Sequence, residues 1–103
     1  MIKFAKPNAT IKANTAAYET TAVIDPNGFR EYDARWQVFD QINLNGFFYL
    51  GLGLGTQMKR HHKDVPSPKV VVGHDYRSYS LSIKQAVMNG LMASGCTVLD
   101  IGL

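Results

Sequence analysis

Apolar positions are unevenly distributed along the chain. Residues 1 to 27 hold no sustained apolar run and are dotted with lysine and threonine, so they read as an extended N-terminal arm. Residues 29 to 34 fit a short strand. From 43 to 62 the sequence is free of proline, and Leu44, Phe47, Phe48, Gly51, Leu54, Gly55 and Met58 recur at the i, i+3, i+4, i+7 spacing of one helical face. Each glycine inside that helix costs about 1 kcal/mol relative to alanine, so the glycines imply close approach by a sheet or a second helix. After the break at "VPSP", residues 69 to 73 carry the continuous β-branched apolarity of a buried parallel strand. A second 3.6-residue stripe follows over 80 to 94, through Ile83, Ala86, Val87, Gly90, Leu91 and Ser94, with Ser80 as N-cap and Gly95 just past the end. Residues 97 to 102 form a further strand. The order predicts an α/β protein, a three-layer α/β/α sandwich around a small mixed or parallel sheet.

Composition narrows the class. The chain has 103 residues, 46% of them hydrophobic, enough for one modest domain that buries roughly two thirds of its unfolded surface. Eleven Lys and Arg against eight Asp and Glu give a net charge of +3. That excess is too small to demand a nucleic-acid partner, though it leans weakly toward anions. The single cysteine, Cys96, excludes an internal disulfide and fits a reducing compartment, so a cytoplasmic location is expected. No apolar stretch is long enough for a membrane span, and the N-terminus lacks the features of a signal peptide.

Several motifs offer chemistry and most have a plainer explanation. "GLGLGT" (51 to 56) resembles part of a dinucleotide fingerprint, but Thr56 stands where the third glycine belongs and no acidic residue lies about 20 positions on; helix packing is the better reading. In "KRHHK" (59 to 63) the adjacent His61 and His62 point to different sides of a helix, which suits a solvated helix end rather than a metal site. "GHDYRSYS" (73 to 80) lies where a strand ends and a helix begins, the usual place for a ligand crevice in an open α/β sheet. There Asp75 and Arg77 either position a phosphate or brace the loop, and loop bracing is preferred. Ser78, Ser80 and Ser82 lack a histidine–carboxylate pair to activate them. Cys96 reads as a buried structural thiol.

The stretch "GFREYDARW" (28 to 36) concentrates charge without an apolar side. If extended, it would project Glu31, Asp33 and Arg35 one way and Arg30, Tyr32, Ala34 and Trp36 the other, as at the rim of a cleft that meets a charged partner.

Taken together, "FREYDAR" (29 to 35), "VVVGHDYR" (70 to 77) and "IKQAVMNGLMASGCTVLDIGL" (83 to 103) resemble the N-terminal domain of the α-D-phosphohexomutases, the phosphomannomutase and phosphoglucomutase family. The family pattern is F-R-x-Y-D-x-R-G, then V-V-x-G-x-D-x-R, then a helix leading into G-x-x-V-x-D-x-G-L. Trp36 stands where the family has glycine, and His74 where arginine is common. The resemblance implies that residues 28 to 103 are domain I of such an enzyme, cut short before the phosphoserine loop. It implies that Tyr32 and Arg35 border the active-site cleft as catalytic residues; for Asp75 and Arg77 the reading stays that of loop support, and the substrate-binding residues stay unknown.

By the same resemblance the full enzyme interconverts hexose 1-phosphate and hexose 6-phosphate through a phosphoserine and a hexose bisphosphate, with Mg²⁺ assisting. The partner is then a phosphosugar substrate, not nucleic acid or a membrane. The family's T-A-S-H-N serine loop, D-G-D metal loop and G-E-x-S-G sugar loop do not occur in this sequence. The 103-residue chain alone is therefore expected to be inactive and to self-associate through the edge it leaves open. The alternative from another class is a non-catalytic α/β module that binds a phosphorylated ligand or a partner protein.

Overall fold

The computed structural model describes Phe4 and residues 15 to 103, and the remainder of the expected arm lies outside the described residues. Its chain divides into two units, residues 1 to 46 and 47 to 103.

In the first unit a single amide holds the fold together. Asn43 is 2% exposed, and every hydrogen-bonding valence of its side chain is engaged. Its Oδ1 accepts from the backbone N–H of Val23 at 3.0 Å and of Gly46 at 2.8 Å, while Nδ2 donates to the carbonyls of Tyr18 at 2.9 Å and Thr21 at 2.6 Å. The bond to Gly46 is an N-cap on α2 (Leu44–His61), so the same residue starts the helix and pins the preceding chain to it. Around it Tyr18, Val23, Ile24 and Ile42 are buried, and Ile24 bridges Ile42 in antiparallel fashion. Residues 15 to 27 thus differ from the extended arm expected of them. Thr15 caps a short helix α1 (Ala16–Thr20), and Asp25 caps a 3-10 turn at Pro26–Gly28 by accepting from the Asn27 N–H. The arm's scattered Tyr18, Val23 and Ile24 are too irregularly spaced to show a helical or strand period, yet they suffice for a small core.

The expected strand at 29 to 34 is not one. Phe29 and Ala34 form an isolated antiparallel bridge, closed by Arg30 N–H to the Asp33 carbonyl at 2.9 Å and Arg35 N–H to the Gly28 carbonyl at 2.8 Å. The segment folds back on itself in a tight hairpin with Glu31 and Tyr32 at its tip. With no apolar face to bury, it had nothing to hold it in a sheet.

The second unit is the expected βαβ pattern: β1 (Lys69–Gly73), α3 (Ser80–Ala93) and β2 (Thr97–Gly102), with the two strands parallel and α3 packed on both. Val72 pairs with Asp100 and Gly73 with Gly102, so Ile101 is bulged out of the ladder and Gly102 takes a φ of 77°. The helix α2 is continuous through "GLGLGT", which excludes the dinucleotide-fingerprint reading of that stretch. Its glycines serve close contact with α3: a β-carbon on Gly51 would come within 2.3 Å of the Val87 carbonyl oxygen, and one on Gly90 within 2.0 Å of the Phe48 carbonyl oxygen. Leu44 and Leu54, assigned from the periodicity to the packed face, are instead exposed.

Helix α3 ends as its sequence suggests. Gly95 has a φ of 100°, its N–H bonds the Met92 carbonyl at 3.0 Å, and the Cys96 N–H bonds the Leu91 carbonyl at 3.1 Å, the paired pattern of a glycine-terminated helix. The start differs. Tyr79 occupies the cap position but its side chain does not cap the helix, and Ser80 is the first helical residue. Its hydroxyl turns to Asp75 rather than to the helix's own N–H groups.

Candidate functional site

The hairpin at 28 to 36 is braced from beneath by the indole of Trp36. The ring packs edge-on against Phe29, with centroids 5.1 Å apart, and its Nε1–H donates to the Asp25 carbonyl at 2.7 Å. It also occupies the space over Gly28, where any β-carbon would lie within 1.9 Å of it. Trp36 has no positive φ, so the glycine usual at this position in the resembling family is not replaced here under backbone strain.

That brace leaves the charged side chains facing solvent. Tyr32 is 91% exposed at the tip. Arg30, Glu31, Tyr32, Asp33 and Arg35 line one depression of about 470 Å³. An extended strand would have set Tyr32 and Arg35 on opposite sides; the reversal at the tip brings both to the same hollow. The Arg35 guanidinium donates through Nε and Nη2 to the same Asp33 oxygen, both at 3.2 Å, and the pair is largely exposed. An exposed pair of this kind contributes on the order of 0–1 kcal/mol, so Asp33 orients Arg35 without preventing it from turning to a stronger anion. Arg30 is tied back by Nη1 to the Asn27 carbonyl.

In the second unit the strand ends gather a second set of charges. Asp75 accepts from the Ser80 hydroxyl and from the Arg77 N–H at 3.2 Å, and pairs with the Arg77 side chain at 3.4 Å. These hydrogen bonds, Ser80 foremost, hold the Asp75 carboxyl below its ordinary value. Contact with Tyr79, then the Asp75 charge, raises Arg77. Asp100 is held low first by the ammonium of Lys84 at 2.8 Å and then by the Gly102 N–H at 2.8 Å. The Lys84 side chain is only 4% exposed. His74 donates its backbone N–H to the Gly102 carbonyl at 3.1 Å, while its Nδ1 is buried without a partner.

The sequence reading missed the Lys84–Asp100 pair. A signal was present, since Lys84, Met88 and Leu91 fall on one helical stripe and all are buried. A lysine on such a stripe needs a carboxylate opposite it.

Among the described residues no three His, Cys, Asp or Glu side chains are grouped as a metal's ligands. The magnesium implied by the resemblance has no such ligand set among them. The basic run 59 to 63 ends α2, with the Lys59 ammonium close to Gly95 at the C-terminal end of α3, where a cation is favoured. Cys96 is buried and contacts the Gly55 carbonyl. No helix among the described residues is long and apolar enough to cross a membrane.

Comparison with known proteins gives the family of this chain. The family model for phosphoglucomutase/phosphomannomutase, alpha/beta/alpha domain I, matches residues 26 to 103. The chain belongs to that family, and its α/β fold is that of the family's first domain. A protein named Phosphohexose mutases from Xanthomonas campestris pv. campestris is 37% identical over 75 residues, covering 73% of this chain and 15% of the relative. The Phosphoglucomutase/phosphomannomutase of Thermococcus kodakarensis is 39% identical over 75 residues, 73% of this chain and 16% of its own. The Phosphomannomutase of Escherichia coli is 37% identical over the same length, 73% of this chain and 15% of its own. The chain therefore spans about 15% of the length of these relatives. No solved structure matches it.

Proposed function

We propose that this chain forms one wall of the active-site cleft of a phosphohexomutase, an isomerase that interconverts hexose 1-phosphate and hexose 6-phosphate, and that Arg35 and Tyr32 face the phosphoryl group in transit. The observation that carries the reading is the hairpin itself: the Trp36 brace sets Tyr32 and Arg35 beside one open hollow, and among the described residues the exposed Asp33 is the side-chain ion-pair partner of Arg35. Membership of the family supports it.

In the proposed reaction a phosphoserine supplied by the rest of the enzyme transfers its phosphoryl group to the free hydroxyl of the hexose monophosphate. The resulting bisphosphate turns over in the site and returns its other phosphoryl group to the serine. In each transfer the P–O bond to the donor oxygen breaks as the bond to the acceptor forms, and charge spreads over three equatorial oxygens. The planar, permanently charged guanidinium of Arg35 can donate two hydrogen bonds to that group at once, and the Tyr32 hydroxyl a third. Magnesium, held by residues elsewhere in the enzyme, would supply further charge. The family match does not favour the non-catalytic module. Assaying the polypeptide that joins this segment to the family's serine loop tests the reading: hexose phosphate interconversion dependent on that serine supports it, and phosphosugar binding without turnover rejects it.

A further inference from the structure

The solvent-facing side of α3 carries no charge. Between Arg77 and Asp100 the sole charged residue is Lys84, and it is buried, with its ammonium on Asp100. The exposed positions of the helix are Leu81, Ser82, Gln85, Asn89, Met92 and Ala93, and Leu81 and Met92 keep 56% and 50% of their surface in solvent. The other side of α3 is taken up by α2 and the two strands. A surface helix ordinarily carries charged residues on the side away from the core. Loss of charge with methionine present is instead the composition of an interface centre.

The order of the exposed positions says what covers this face. They are symmetric about Val87: Leu81 mirrors Ala93, Ser82 mirrors Met92, and Gln85 mirrors Asn89. An isologous contact pairs each residue i with j and j with i. Two copies of α3 laid antiparallel, with the two-fold axis level with Val87, therefore set large Leu81 against the second copy's small Ala93, and large Met92 against its small Ser82. Gln85 then meets the second copy's Asn89. Within one chain Gln85 Nε2 already donates to Asn89 Oδ1 at 3.3 Å, which leaves the Gln85 oxygen to accept and the Asn89 nitrogen to donate. Across the axis each Asn89 amide donates to the other copy's Gln85 oxygen, closing a ring of four amides. A charged partner finds no counter-charge on this face, whereas a neutral face meets its own copy without repulsion. The antiparallel helix dipoles also attract. We infer that the exposed face of α3 is a self-association surface through which two copies of the protein pair helix to helix. A helix of 14 residues is about 21 Å long, so one such pair buries less than the roughly 1,000 Å² of a stable interface, and the dimer is weak and concentration-dependent.

Sedimentation velocity across a concentration series tests this on the chain carrying Leu99→Lys and Ile101→Lys, which remove association through the exposed apolar residues of β2. A monomer–dimer equilibrium is expected in that background. Adding Gln85→Lys with Asn89→Lys sets like charges against each other at both contacts and is expected to weaken the dimer by about tenfold or more. Adding Gln85→Lys with Asn89→Glu sets opposite charges there instead and is expected to restore it. Circular dichroism establishes that each chain keeps its helices, and Met92→Lys, expected to weaken the dimer to a similar degree, decides the matter if the first pair does not fold. A background chain that stays monomeric at every concentration would overturn the assignment and give the face to another occupant. Undiminished association of the folded Gln85→Lys, Asn89→Lys chain, or no recovery with Gln85→Lys, Asn89→Glu, would overturn it as well.

Discussion

The Val87 carbonyl oxygen stands where a side chain on Gly51 would be, so α2 and α3 meet backbone to backbone. A β-carbon at Gly51 would lie 2.3 Å from that oxygen, whereas one at Gly53, two residues along the same helix, would meet nothing within 4 Å. The same substitution should therefore act with opposite signs. Gly53→Ala is expected to stabilise the chain by about 0.5–1 kcal/mol through helix propensity alone. Gly51→Ala must push the helices apart and should destabilise it by about 1–3 kcal/mol. Urea unfolding midpoints of the two variants check this, and a stabilising Gly51→Ala would refute the close packing.

Acid should weaken the second unit through two carboxylates. Asp75 and Asp100 are both held below the ordinary value of 3.8, by Ser80 and Lys84 respectively as the leading causes. A depressed carboxyl contributes stability that is present above its unfolded value and lost as pH falls through its folded value. Stability should hold near neutrality and decline below about pH 4. Lys84→Met should flatten the decline, since Asp100 then loses the partner that kept it ionised. Asp100→Ala should be the more destabilising change at pH 7, because it strands a buried ammonium. Unfolding curves from pH 7 to pH 2 test both orderings; a steeper acid decline in Lys84→Met would contradict the assignment.

How far the sequence alone reached depends on where the signal is periodic. Helices α2 and α3 are legible in their 3.6-residue repeat and the strands in their apolar runs, and the Gly95 stop because the left-handed turn that ends a helix favours glycine. The hairpin reads as a strand in the sequence because its geometry is fixed by the Trp36 indole against Phe29 and by its hydrogen bond to the Asp25 carbonyl, 11 residues away, contacts that no period reveals. Tyr32 and Arg35 could be named from the family motif, but not that they share a hollow. Asn43 was legible as a helix start, yet not as the amide that gathers Tyr18, Thr21 and Val23, and the Lys84–Asp100 pair needed the strand register to be known.

Among the described residues one face of the sheet is uncovered. Val71, Leu99, Ile101 and Leu103 are 46–84% exposed on a parallel two-stranded sheet, a type of sheet normally covered on both faces. Made alone, the 103-residue chain is expected to self-associate through this face and to show no mutase activity, since the serine and its transfer partners are not in its sequence. Analytical ultracentrifugation of the chain and of a Leu99→Lys, Ile101→Lys double variant, with a coupled hexose phosphate assay, checks it. Monomeric wild-type chain, or phosphate interconversion above background, would be the contrary result.

Trp36 should govern the hairpin rather than the whole chain. Replacing it with the glycine usual in the family removes the ring over Gly28 and the hydrogen bond to Asp25, which should cost about 1–3 kcal/mol and raise amide exchange across residues 28 to 36. Exchange in α3 should be unchanged. Hydrogen-exchange mass spectrometry distinguishes this from a global loss, which would assign Trp36 to a core instead.

Arg35 is the group proposed to meet the phosphoryl in transit. The direct measurement is kcat/KM for Arg35→Lys in the enzyme that carries this segment together with the family's remaining domains, alongside its unfolding curve. A lysine keeps the charge but cannot present two parallel donors, so the account predicts a loss of about 2–4 kcal/mol of transition-state stabilisation, mostly in kcat, with the fold intact. Turnover equal to that of the unaltered enzyme, or a loss matched entirely by unfolding, would contradict it and leave Arg35 as no more than the exposed partner of Asp33.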